Sequence, residues 1–167
     1  METIEAIVES WRRNCNIIDN LVGRLTPEQL EFKQDPDGWP IAVHLAHMQN
    51  CRTEWLEQMS APHAEGQSQL FTLEGETYIA SRDLAAIRAN LKQSGEAVAN
   101  AMGDLLASGQ NKSGPYDHPM MYLGHMIWHD GWHFGLITMA LRVNGQELPE
   151  EWENEHVWGQ WRFEEWA

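Results

Sequence analysis

The sequence predicts an all-α protein, a four-helix bundle with one long crossover connection. Three observations predict it. Four long segments repeat apolar residues at helical spacing. No run of residues alternates convincingly as a strand. One connection, residues 60–77, is long enough to run the length of a bundle. The chain has 167 residues, which suits one domain with one sizeable core, so 1–167 is read as a single unit.

The first helix is read over residues 3–24, where Ile4, Ile7, Val8, Trp11, Cys15, Ile18 and Val22 recur on one face. Thr26 and Pro27 then suit the start of a single short turn. "DPDGWP" is a loop by composition. The second helix runs from about Pro40 to Met59, with Ile41, Leu45, Met48, Trp55 and Leu56 in its stripe. The crossover "SAPHAEGQSQLFTLEGET" follows without a clear helical period. The third helix runs from about Tyr78 to Leu106, and Gly95 inside it costs roughly 1 kcal/mol against alanine. "SGQNKSGP" is a short turn, so the third and fourth helices are expected as antiparallel neighbours. The fourth helix runs from about His118 to Val143, ended by Asn144, Gly145 and Pro149. Residues 145–167 form an aromatic, acidic tail expected to pack on the bundle.

Charge and patterning exclude several function classes. A net charge of −14 repels phosphate backbones and anionic lipid, so neither nucleic acid nor membrane is an expected partner. The opening "METIEAIVES" has neither a basic region nor an apolar one, so no secretory signal is expected. No run of about 18 apolar residues exists to span a bilayer. Cys15 and Cys51 are read as reduced thiols in a cytoplasmic protein. The nine tryptophans suggest aromatic walls in a core, a pocket or a subunit seam, with core or seam favoured for most.

The chemistry concentrates in histidines. Five of the eight lie on two predicted helices: His44 and His47 on the second, His125, His129 and His133 on the fourth. Residues four apart share a helical face, so His129 and His133 can converge on one ion. They are in phase with Tyr122, Met126, Leu136, Ile137 and Ala140, which places them inward. The pair alone fits core packing as well as a metal. A third imidazole from the second helix tips the reading towards a three-histidine site with open positions, which suits zinc, nickel or ferrous iron. Periodicity does not separate His44 from His47. His125 sits one turn earlier on the same stripe and either joins the site or lines it. Cys51, one turn after His47, is either a fourth donor or a small buried hydrophobe, and the second is preferred. Asp130, inside "HDGWH", is compatible with a proton shuttle, or with a solvated or imidazole-orienting carboxylate. A peptidase of zincin type would need a third ligand downstream, where Glu147, Glu150, Glu151 and His156 lie past the helix end. A di-iron carboxylate bundle is excluded, because the single Glu-x-x-His is Glu153 to His156, in the tail.

Two stretches, "GWPIAVHLAHMQN" and "HMIWHDGWHFGLITMALRVNGQELP", resemble the DinB/YfiT family of four-helix bundle metalloproteins, and the resemblance covers nearly the whole chain. Trp39 and His47 fit the first half of the family pattern; His129, Asp130, His133 and Gly135 fit the second. The resemblance therefore implies His47, His129 and His133 as metal ligands. Phe134 and Leu136 depart from the arginine and glutamine that relatives often carry around that glycine. It further implies a homodimer and a metal-dependent enzyme, such as a transferase that joins a low-molecular-weight thiol to a small electrophile. A related branch isomerises a small unsaturated acid with thiol help. Zinc or nickel is the expected metal, with iron or manganese also compatible. Asp130 or His125 would shuttle a proton. A metal-dependent hydrolase of a small ester or amide, or a non-catalytic metal-binding or dimerisation module, stays open beside this.

Overall fold

The computed structural model describes residues 2–112 and 114–162. Four long helices carry the fold: α1 (Thr3–Arg24), α2 (Ile41–Ala64), α3 (Leu84–Ala107) and α4 (Pro119–Val143). A 3₁₀ turn at Glu28–Glu31 follows α1, as the Thr-Pro start suggested. Asp83 caps α3 by accepting from the backbone N–H groups of Ala85 and Ala86 at 2.9 and 3.1 Å. His118 caps α4 through Nδ1, with Pro119 at the first position. No helix among the described residues is long and apolar enough to cross a membrane.

Side-chain pairs give the helix directions. Arg52 reaches the Leu91 carbonyl and His63 reaches Asp104, so α2 and α3 run parallel. Two parallel neighbours need a connection that returns the length of the bundle, and this is the long crossover. Trp11 bonds the Gly95 carbonyl and Asp19 binds Arg88, so α1 and α3 are antiparallel. His44 meets His133 and Trp55 meets His125, so α2 and α4 are antiparallel as well. α3 packs mainly on α1 and α2 and touches α4 only lightly. α3 and α4 are antiparallel and in contact, as expected, but neither is the other's main packing partner.

Two further differences fall in the crossover. The regular part of α2 ends near the expected Met59, but a short helical piece continues to Ala64 past a kink at Ser60, with Pro62 inside it. The chain then forms an antiparallel hairpin, β1 (Phe71–Glu74) with β2 (Thr77–Ala80), where no strand was expected. Its two-residue turn places Gly75 at φ +64°, the left-handed conformation that glycine adopts without strain. Phe71, Leu70 and Ala80 anchor this hairpin to the core. Consequently α3 begins at Leu84, six residues after the expected start.

The interior is divided. One apolar cluster gathers Leu21, Leu45, Ile87, Ile137 and their neighbours; the other gathers Trp11, Leu56, Met102, Tyr122 and theirs. Between them lies a buried polar group formed by Asn14, Arg52 and Asp130. The tail lies along α1 as α5 (Glu150–His156) and a 3₁₀ turn at Trp158–Gln160. Arg13 donates to the Gln160 carbonyl at 3.0 Å, Asn20 donates to the His156 carbonyl at 3.1 Å, and Arg24 stacks over Trp152. Trp166 lies outside the described residues. Trp11 is fully buried, whereas Trp39, Trp128, Trp132, Trp158 and Trp161 are exposed. Most tryptophans therefore sit at the surface, and core packing accounts for few of them.

Candidate metal centre

α2 and α4 bring the rings of His47, His129 and His133 close together. The ring centroids of His47 and His129 are 5.1 Å apart, those of His47 and His133 5.0 Å, and those of His129 and His133 4.6 Å. The i, i+4 spacing stacks His129 and His133 on one face of α4, and the antiparallel α2 presents His47 to that face. Trp39 closes one side. Its ring lies 5.2 Å from His47 and stacks on His133 at 6.2 Å, with nearly parallel planes.

His44 and His47 have different duties. His44 is 2% exposed and its Nδ1 lies 2.9 Å from His133 Nδ1, so one of the two nitrogens donates and the other accepts. His133 is thereby oriented from behind, leaving its other nitrogen for the cluster. Cys51, preferred above as a packing residue, is half-buried with Sγ 3.5 Å from His47 Nε2. Donor atoms of His47, Cys51 and His129 all lie within 4.8 Å of one another, and His133, predicted as the third ligand, is not part of that group among the described residues. Cys15 lies away from this cluster, against Gly95, and burial pushes its thiol up to about 12.

The donor set fits a divalent cation. Burial lowers His44 and His129 to about 4, and burial reinforced by His129, His44 and His47 lowers His133 to about 3. Burial lowers His47 as well. The rings are therefore neutral at pH 7, with lone pairs available. His129 Nδ1 is buried and has no hydrogen-bond partner among the described residues. Neutral imidazoles crowded together with an unpaired buried nitrogen are what a metal site requires and what a packed core avoids.

Asp130 and His125 are not drawn into the cluster in the same way. Asp130 is fully buried; its Oδ2 accepts from Arg52 Nη2 at 2.6 Å and from Asn14 Nδ2 at 2.7 Å. It is thus no solvated carboxylate, and neither partner is an imidazole. His125 is exposed and bonded through Nδ1 to the Tyr116 hydroxyl at 2.8 Å, with its ring 6.1 Å from that of His129. It stands at the rim. Tyr116 was missed by sequence reasoning, because a tyrosine in a loop carries no periodicity. Trp132 points to solvent against Trp128, away from the histidines.

No curated protein and no solved structure matches this chain. A family model does, over residues 1–159. With that match spanning nearly all of a helical bundle whose second and fourth helices share a histidine cluster, the chain belongs to the DinB family.

Proposed function

We propose that this protein binds one divalent metal ion through His47, His129 and His133 and acts as a transferase that joins a small thiol to an electrophile. The observation that carries the reading is the meeting of three neutral imidazole rings, contributed by two helices, at centroid separations of 4.6–5.1 Å. Zinc and nickel are the first candidates, with iron and manganese behind them. When bound, such an ion keeps its full positive charge and supplies Lewis acidity that favours the thiolate form of a sulfur ligand.

The chain's own residues bind, orient and shield. His44 holds the His133 ring in place through its Nδ1 contact. Trp39 forms an aromatic wall against His44, His47 and His133 and keeps water from that side. His125 Nδ1, bonded to the Tyr116 hydroxyl, is placed to pass a proton between the rim and solvent. Asp130 holds Arg52, which anchors α4 against α1 and α2, and this is a positioning task. The exposed apolar residues Met121, Trp128, Trp132 and Met139 along α4 support a homodimer.

Metal content by plasma mass spectrometry tests the first half. Tag-free protein purified without chelator is expected to carry near one equivalent, lost in His47→Ala and in His129→Ala. A parent that stays metal-free after reconstitution overturns the metal reading. The second half is tested on loaded protein with a small thiol and a haloaromatic electrophile. A loaded parent that consumes no thiol, yet cleaves a small ester, replaces the transferase with the hydrolase.

A further inference from the structure

Cys51 sits in the histidine cluster without a role in the reading above. Its Sγ lies 3.5 Å from His47 Nε2 and 3.9 Å from His47 Nδ1. A tetrahedral zinc ion with Zn–S near 2.3 Å and Zn–N near 2.0–2.1 Å holds sulfur and nitrogen about 3.6 Å apart. The separation found here is within the span of two donors on one such ion, and since the sulfur lies beside both ring nitrogens of His47, the imidazole turns for Nε2 to aim at the ion. A thiol hydrogen-bonded to one imidazole would give the same distance, but it would need no second donor. Here a His129 nitrogen also falls within 4.8 Å of both, and His129 Nδ1 is buried without a partner among the described residues. The sequence supplies the reason: Cys51 follows His47 by one helical turn, as His133 follows His129. Each helix thus offers an i, i+4 pair of donors, and the two pairs face each other.

We infer that Cys51 is a ligand beside His47 and His129, so that the centre is a mixed histidine–cysteine set, closed to four donors when His133 turns in, rather than an open three-histidine site. This rests on the metal reading of the same site. It changes what the site admits. Four protein donors fill a tetrahedral sphere, so an external ligand enters only where Cys51 gives way. A small thiol is the class suited to that exchange: it brings one sulfur and one proton, and Cys51 leaves with its sulfur and takes one proton. The site thereby selects for sulfur, and its resting form is protected.

Cobalt(II) loading of the full chain tests this without any assay of activity. The parent is expected to show an intense near-ultraviolet sulfur-to-cobalt charge-transfer band. Cys51→Ala and Cys51→Ser are expected to take up cobalt and lose the band, while Cys15→Ala keeps it. Added 2-mercaptoethanol should restore a band in loaded Cys51→Ala. If Cys51 occupies its position about 90% of the time, the parent should need roughly tenfold more thiol for an equal change. A loaded Cys51→Ala whose spectrum matches the parent overturns the inference and leaves the three-histidine site standing. Equal thiol requirements in the two proteins also overturn it. A parent that takes up no cobalt sinks the metal reading itself, which is a different failure.

Discussion

His129 and Asp130 are consecutive residues with opposite surroundings. The imidazole faces α2 and the histidine cluster, while the carboxylate faces Arg52 and Asn14 in the interior. Asp130→Asn leaves the Arg52 guanidinium, itself 1% exposed, without its counter-charge. A loss of about 3 kcal/mol in urea unfolding is expected, with metal stoichiometry retained in the folded fraction. A proton-shuttling Asp130 would show the reverse, unchanged stability and lost turnover. The histidines carry a second prediction at this scale. In the folded, metal-free chain His44 and His129 take up protons only near pH 4, and His133 near pH 3, against 6.5 for the ordinary group. The unfolded chain therefore binds more protons below about pH 6.5, and stability falls as pH falls through that window. Chelated protein unfolded at pH 7 and at pH 5 should show the drop, and His44→Gln should reduce it. The histidine cluster was legible because an i, i+4 pair and a family pattern are both local. The carboxylate's partners were not, since Arg52 and Asn14 lie 78 and 116 residues away along the chain.

At the scale of elements, Gly95 explains a cost visible in the sequence. A Cβ built there would lie 2.8 Å from Cys15 Sγ, so α1 and α3 approach at this point because α3 has no side chain. Trp11 uses the same approach to donate to the Gly95 carbonyl at 2.8 Å. Gly95→Ala alone is expected to gain nothing or to lose about 1 kcal/mol, since the helix-propensity gain is offset by overpacking. In a Cys15→Ala background the same change should stabilise by roughly 1 kcal/mol. Equal effects in both backgrounds would show that Cys15 does not set the spacing. The helices were legible because their apolar residues repeat over many turns. The hairpin was not: β1 and β2 are four residues each, and their exposed faces carry Leu73, Tyr78 and Ile79, so burial does not alternate along them. The glycine in "LEGET" was the available signal.

For the molecule as a whole, the histidine cluster lies beside the buried polar group and outside both apolar clusters. The bundle is therefore expected to hold together without the ion. Zinc at about a hundred times its dissociation constant should add about 2.7 kcal/mol, a rise in Tm of roughly 5–10 °C. Chelation should remove that gain and leave the helical circular dichroism at 20 °C unchanged. Collapse of the helical signal on chelation would make the metal a staple of the fold. The crossover was legible at this scale because residues 60–77 are too many for a tight turn, whereas the light contact of α3 with α4 depends on how all four helices pack. The back-to-back arrangement of His129 and Asp130 has a consequence for inheritance. Each residue inserted into a helix turns everything after it by about 100°. One codon gained or lost early in α4 would swing His129 and His133 off α2 and pull Asp130 from Arg52 in a single event. Descent can therefore rewrite the letters between His118 and His133, but not their number, and gaps there should be absent from working descendants of this gene.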